Sequence, residues 1–258
     1  MFAIEFPPVS HVIEWPEILL EDTPFAVNKV VILMWISALL AVGVVLLAAR
    51  KRNLVPSGVQ NVGESLVDFI DNGIILQTIG PDGLTPFYRA FLGSLFAFIL
   101  ACNIWGIIPV AQMPVNARIA LPIFLTGLVW IIYMGLGIVK QGPLGYFKNI
   151  SFPPGVPKFL YVLVTPIELV STIIVRPLSL SVRLFANMLA GHLLLVSFAV
   201  ICAALWTVQS VLQPVILPFS FALLVGLTGF EILVAFLQAF IFTILAAVYI
   251  GSSMHPEH

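Results

Sequence analysis

From Phe159 to Met254 the only Asp, Glu, Lys, Arg or His residues are Glu168, Arg176, Arg183, His192 and Glu231. About 20 such apolar residues, wound as a helix, cross the roughly 30 Å hydrocarbon core of a bilayer. The remainder of the chain conforms: 60% of its 258 residues are hydrophobic and only 9% are charged, outside the range of soluble globular domains. The chain therefore reads as an all-α polytopic membrane protein. With a net charge of −1, its overall balance points neither to nucleic acid nor to an acidic soluble substrate.

Taken in order, residues 1–26 carry Glu5, Glu14, Glu17, Glu21 and Asp22 and form an acid-bearing, water-facing lead-in. They lack the basic n-region of a signal peptide and the Arg-rich character of a transit peptide, so the first apolar run is expected to stay as an anchor. That run, 27–49, ends in Arg50-Lys51-Arg52, which the positive-inside rule places in the cytoplasm, with the amino terminus outside. The next segment, 50–86, is a cytoplasmic loop in which Val59, Val62, Leu66, Phe69, Ile70 and Ile74 recur at helical spacing. This amphipathic helix reads equally well as one lying on the membrane surface or against a partner and as a packed connector.

Residues 87–109 return outward, 110–118 form a short outer link in which Gln112 and Asn116 are expected to be solvated, and 119–139 come back in. A second cytoplasmic loop, 140–158, holds Lys140, Lys148 and Lys158. On this assignment Arg50, Lys51, Arg52, Arg89 and those three lysines lie inside, against Lys29 and Arg118 outside. Beyond it come a long membrane segment, 159–207, an outer turn, 208–214, a second long segment, 215–251, and a cytoplasmic tail, 252–258. The two apolar runs measure roughly 70 and 50 Å as continuous helices. Neither stands upright in the bilayer, so either Pro166 and Pro177 break the first run or both helices tilt steeply. The two cysteines, Cys102 and Cys202, sit in apolar runs without metal-ligand spacing and read as buried, inert thiols.

An arginine at the centre of a hydrocarbon layer costs at least about 2.5–3.5 kcal/mol, so the intramembrane charges mark a site. Helical spacing puts Arg176, Ser179, Arg183 and Asn187 on one face, and Ala190 and Gly191 extend it with side chains small enough for close approach of a neighbour. His192, nine residues past Arg183, points nearly the opposite way, toward its own chain. Glu231 and Gln238 share a face of the last helix, which makes Glu231 a natural partner for His192; such a pair accepts and releases protons near neutral pH. Arg176 reads equally as a snorkelling or capping residue, Arg183 has a structural ion pair with Glu168 as its alternative, and Ser171 and Ser179 have ordinary back-bonding as theirs. There is no HExxH, G-x-S-x-G or P-loop, so enzymatic turnover by this chain alone is not expected, nor is any cofactor or metal.

The stretch Arg176-Pro177-Leu178-Ser179-Leu180-Ser181-Val182-Arg183-Leu184-Phe185-Ala186-Asn187-Met188-Leu189-Ala190-Gly191-His192 closely resembles subunit a of F-type ATP synthases, as do Phe230-Glu231-Ile232-Leu233 and Leu237-Gln238-Ala239-Phe240. The resemblance covers nearly the whole chain, including Asn103-Ile104-Trp105-Gly106-Ile107-Ile108-Pro109. It implies a proton-translocating stator in the bacterial inner membrane, working against a rotating c-subunit ring, with peripheral-stalk b subunits, other synthase subunits and lipid as partners and H+ as the ion carried. Arg183 matches the family's arginine, which attracts the ring's carboxylate and separates two half-channels. Asn187, His192, Glu231 and Gln238 would line the outer one, and Glu168 with Ser171 and Ser179 the cytoplasmic one; Arg176 is a secondary charge. The family fold is three upright helices, an amphipathic surface helix and a strongly tilted helix hairpin. Many bacterial members have Glu where this chain has His192 and His where it has Glu231. The step from Glu168 to Arg176-Pro177 is also about one residue longer than in several members, and Pro114-Val115-Asn116-Ala117-Arg118 lacks an acid that some carry. A self-contained proton-coupled transporter using the same groups is the alternative from another class, and it would show substrate-dependent flux as a single purified protein. A purely structural membrane anchor is disfavoured by the intramembrane charges.

Overall fold

The computed structural model describes residues 16–19, 26–50, 58–108, 111–151, 158–207 and 213–254. The acids Glu5, Glu14, Glu21 and Asp22, the Lys51-Arg52 pair, the centre of the outer turn at 208–212 and the last four residues lie outside the described residues. Short strands β1 (Glu17–Leu19) and β2 (Val27–Asn28) pair antiparallel ahead of helix α1 (Lys29–Arg50). There follow α2 (Val59–Ile70), α3 (Pro86–Ile104), α4 (Ala120–Gln141), α5 (Pro143–Ser151), α6 (Tyr161–Val170), α7 (Arg176–Thr207) and α8 (Gln213–Met254). Five helical stretches are long and apolar enough to cross a membrane: Lys29–Leu46, Pro86–Ile104, Ala120–Gln141, Tyr161–Trp206 and Ile216–Met254. The protein is an all-α polytopic membrane protein. Its contacts divide it into two compact units, one of Met1–Leu40, Phe98–Arg118 and Phe185–Gln238, the other of Ala41–Ala97, Ile119–Leu184 and Ala239–His258.

Neither proline breaks the long run. Pro166 lies inside α6, and between α6 and α7 the chain makes a wider π-helical turn over Ser171–Val175. There the N–H of Arg176 reaches back five residues to the carbonyl of Ser171. A proline ring ordinarily collides with the carbonyl four residues before it, and a widened turn makes room without ending the helix. Helical sequence therefore continues from Tyr161 to Trp206, far longer than a bilayer is thick.

In the first unit, Trp105 Nε1 donates to Ser37 Oγ at 2.7 Å, and that hydroxyl donates to the Leu33 carbonyl at 2.8 Å, which fastens α1 to the end of α3. The link after α3 departs from its expected solvation. Gln112 is exposed, but Met113, Val115, Asn116 and Ala117 are buried. The link folds back on itself: Val115–Ala117 form a 3-10 turn, and Gly106 packs so closely on Pro114 that a Cβ would lie 3.0 Å from its ring. Cys102 is buried as expected, whereas Cys202 is only half-buried.

In the second unit, the amphipathic segment packs through one half of its apolar stripe. Ile70, Ile74, Ile75 and Ile79 are buried, while Val62 and Val67 are 59% and 47% exposed. The buried half holds by aromatic contact of Phe69 with Phe96 and Phe240, at 5.3 and 5.8 Å between centroids, and by Asp71, which accepts from Arg89 Nε at 2.7 Å. Gly251 of α8 lies against the Thr78 backbone, where a Cβ would stand 2.7 Å from the carbonyl oxygen. The segment assigned to the second loop contains α5, whose Tyr146 is buried over Gly137, a place with no room for a Cβ.

Candidate functional site

Helix α7 presents two unlike stripes. Ser179, Arg183, Asn187 and Ala190 are exposed, and Leu180, Leu184, Met188 and His192 are buried. Steps of three and four residues keep each set on one side of a helix. His192, 3% exposed, thus turns toward its own chain while Arg183 turns away from it. Among the described residues no carboxylate comes within ion-pair reach of Arg183. Exposed apolar side chains surround it in sequence, including Leu178 and Val182 on α7.

Within the first unit, α7 and α8 enclose an open cleft of about 530 Å³ whose polar lining is Asn187, Glu231 and Gln238. Ala190 and Gly191 form part of the wall, and small residues there let the acid approach the backbone of α7. The Glu231 carboxyl stands directly over Gly191: a Cβ on that glycine would overlap both carboxyl oxygens. The polar stripe on α8 is otherwise buried, with Glu231, Ala235, Gln238 and Ala239 each 6% exposed or less. Among the described residues, no hydrogen bond or ion pair joins His192 to Glu231. The acid sits over the residue before His192.

Two asparagines that the sequence analysis did not assign to the site link to α8 within the same unit. Asn103 Nδ2 donates to the Ala235 carbonyl at 3.2 Å, one turn past Glu231, and Asn116 Nδ2 donates to Asn103 Oδ1 at 2.7 Å. A backbone carbonyl only accepts, so the polarity of both amides is dictated from α8 outward. Asn116 Oδ1 is left buried without a donor. The signal in the sequence was an asparagine inside the apolar second span, but nothing local identifies its partner.

In the second unit, Glu168 Oε1 lies 3.6 Å from Arg176 Nη2, with side chains 38% and 29% exposed. The Arg176 guanidinium also lies over the Tyr249 ring, 5.5 Å from its centroid. Glu168 therefore meets Arg176, not Arg183. Ser171 begins the π turn and is half-buried; Ser179 is exposed on the Arg183 stripe. Among the described residues neither serine hydroxyl has a hydrogen-bond partner, whereas Ser181 back-bonds to the Leu178 carbonyl at 3.0 Å. The described residues hold no cluster of His, Cys, Asp or Glu that could bind a metal.

Residues 31–251 match the family described as ATP synthase A chain. Proteins named ATP synthase subunit a are similar over most of the chain. That of a Parafrankia species is 41% identical, the match covering 96% of this chain and 83% of the relative. That of Frankia alni is also 41% identical, over 95% and 83%. The Hyphomonas neptunium protein is 36% identical, over 100% of this chain and 99% of its own.

Proposed function

The chain belongs to the ATP synthase A chain family, and from that premise we propose that it is the stator through which protons pass to and from a rotating ring of c subunits. It is a membrane subunit of the synthase complex and not an enzyme by itself. The observation that carries the reading is the exposed Arg183, with no carboxylate near it among the described residues, on a helix face lined with apolar and small side chains. A guanidinium facing hydrocarbon is costly, and a partner's carboxylate offsets that cost when it arrives. At 4 Å and an effective dielectric of about 20 the attraction is about 4 kcal/mol, strong enough to hold an acid deprotonated and weak enough to release it when a proton is supplied. A resident acid on this chain would quench the charge permanently.

The two flanking regions then serve as half-channels. In the first unit, Asn187, Glu231 and Gln238 line the open cleft between α7 and α8, which becomes the outer access route. His192, next to the glycine beneath Glu231, exchanges protons with that acid through one intervening solvent molecule or a change of rotamer. In the second unit, Glu168, held loosely by Arg176, with Ser171 and Ser179, forms the cytoplasmic route. Arg183 separates them, because a proton cannot pass a fixed positive charge without first reaching the ring's acid. The 46-residue apolar helix that carries Glu168 and Arg183 fits a layer of about 30 Å only when strongly tilted, and such a tilt suits contact with a curved ring. The amino terminus lies outside and the carboxyl terminus in the cytoplasm, with the b subunits and the c ring as neighbours.

The test is the assembled complex carrying Arg183→Ala, assayed for ATP-driven acidification and for passive proton leak. Pumping is expected to vanish while leak rises. Near-normal pumping would refute the assignment.

A further inference from the structure

We propose that Tyr133 is a positioning residue for the Glu168–Arg176 pair, acting by holding open the π-helical turn between them. The proposal rests on the function assigned to the Glu168 region above. Its geometry lies wholly within the second unit.

In the register set by the Arg176 N–H to Ser171 carbonyl bond, the next donor in line, residue 177, would serve the Thr172 carbonyl. Residue 177 is proline and has no N–H. The Thr172 carbonyl would be an orphan on a residue only 3% exposed, which is costly in an apolar interior. Tyr133 supplies the missing donor from α4: its hydroxyl donates to the Thr172 carbonyl at 2.8 Å. The phenol is itself 2% exposed, and its ring lies 5.8 Å from that of Tyr249, the same ring that carries the Arg176 guanidinium.

The wider turn decides which way Glu168 faces. Eight residues of uninterrupted α-helix would leave Glu168 about 80° out of phase with Arg176. Absorbing one residue in a π turn brings the offset close to that of seven residues, about 20° short of two full turns. The two side chains then share a face and meet at 3.6 Å. The Tyr133 hydroxyl thus stabilises the one backbone register in which the acid reaches its arginine.

The experiment uses the full synthase in lipid vesicles, with complex amounts matched by immunoblot and ATP-driven acidification as the readout. Tyr133→Phe keeps the ring and removes only the donor, and pumping is expected to fall about five- to 150-fold, the effect of one orphaned buried carbonyl. In a Pro177→Ala background residue 177 regains its N–H, so Tyr133→Phe should cause no further loss there. In an Arg176→Gln background, where no pair remains to be positioned, Tyr133→Phe should likewise add nothing. A purely structural role for the tyrosine predicts that Tyr133→Phe costs as much in the Arg176→Gln background as in the wild type, and that outcome would overturn the proposal, as would full pumping by Tyr133→Phe. Arg183→Ala, run alongside, separates the two levels. If it abolishes pumping while the Tyr133 cycles fail, the stator reading stands and the positioning role falls.

Discussion

Gly191→Ala inserts a single methyl group where the Glu231 carboxyl of α8 rests on the backbone of α7 within the first unit. An alanine Cβ there would lie 2.5 Å from Glu231 Cδ and overlap both carboxyl oxygens, well inside the separation that real atoms tolerate. The obstructed atoms are the far end of a flexible side chain, so the carboxyl must swing away and the fold need not fail. Overpacking of this kind costs about 1–3 kcal/mol. If the whole cost falls on the arrangement that carries protons, pumping drops by about five- to 150-fold. Intrinsic helix preference acts the other way, since Gly→Ala in a helix interior favours folding by roughly 0.5–1 kcal/mol. Complex assembly should therefore remain near normal while transport falls. ATP-driven acidification by inverted vesicles measures the loss, and Gly127→Ala, where a Cβ meets nothing within 4 Å, is the control. Shortening the acid with Glu231→Asp in the Gly191→Ala background should restore part of the rate. Wild-type pumping by Gly191→Ala would refute the close approach of carboxyl and backbone.

Asn103→Leu removes both the donor to the Ala235 carbonyl and the acceptor for Asn116, leaving a buried amide unpaired. The cost is about 1–3 kcal/mol, read as a lower yield of assembled complex and greater protease sensitivity of the outer link. Gly251→Ala drives a Cβ against the Thr78 backbone, which cannot step aside as a side chain can. It should lower assembly more than Gly191→Ala does, and equal assembly of the two variants would contradict the packing of α8 on the segment after α2.

The exposed and buried stripes of α7 were legible in advance because they depend only on helical period. Offsets of three, four and nine residues fix the relative directions of Ser179, Arg183, Asn187 and His192 whatever they pack against. The existence of apolar helices was legible for the same reason, and the amphipathic stripe around Ile70 and Ile74 nearly so. Asn116 was misread as solvated because a short link bearing Asn, Pro and Arg has the composition of an exposed turn. Its burial depends on Asn103, thirteen residues earlier, and on a carbonyl of α8. Pro177 was open to two outcomes, and Tyr133, in another helix, is part of what decides between them.

The sequence by itself determined that this is a helical membrane protein, where its apolar runs lie, and that Arg183 and His192 face opposite ways. Hydropathy and helical period are local properties that survive any arrangement of the helices. Tertiary structure alone decided the partners: Glu168 with Arg176 and not Arg183, Glu231 over Gly191, and Tyr133 on the carbonyl that Pro177 leaves free. Those choices are made over a few ångströms between segments distant in the chain, where a rotation of one residue or the absence of one Cβ selects the contact.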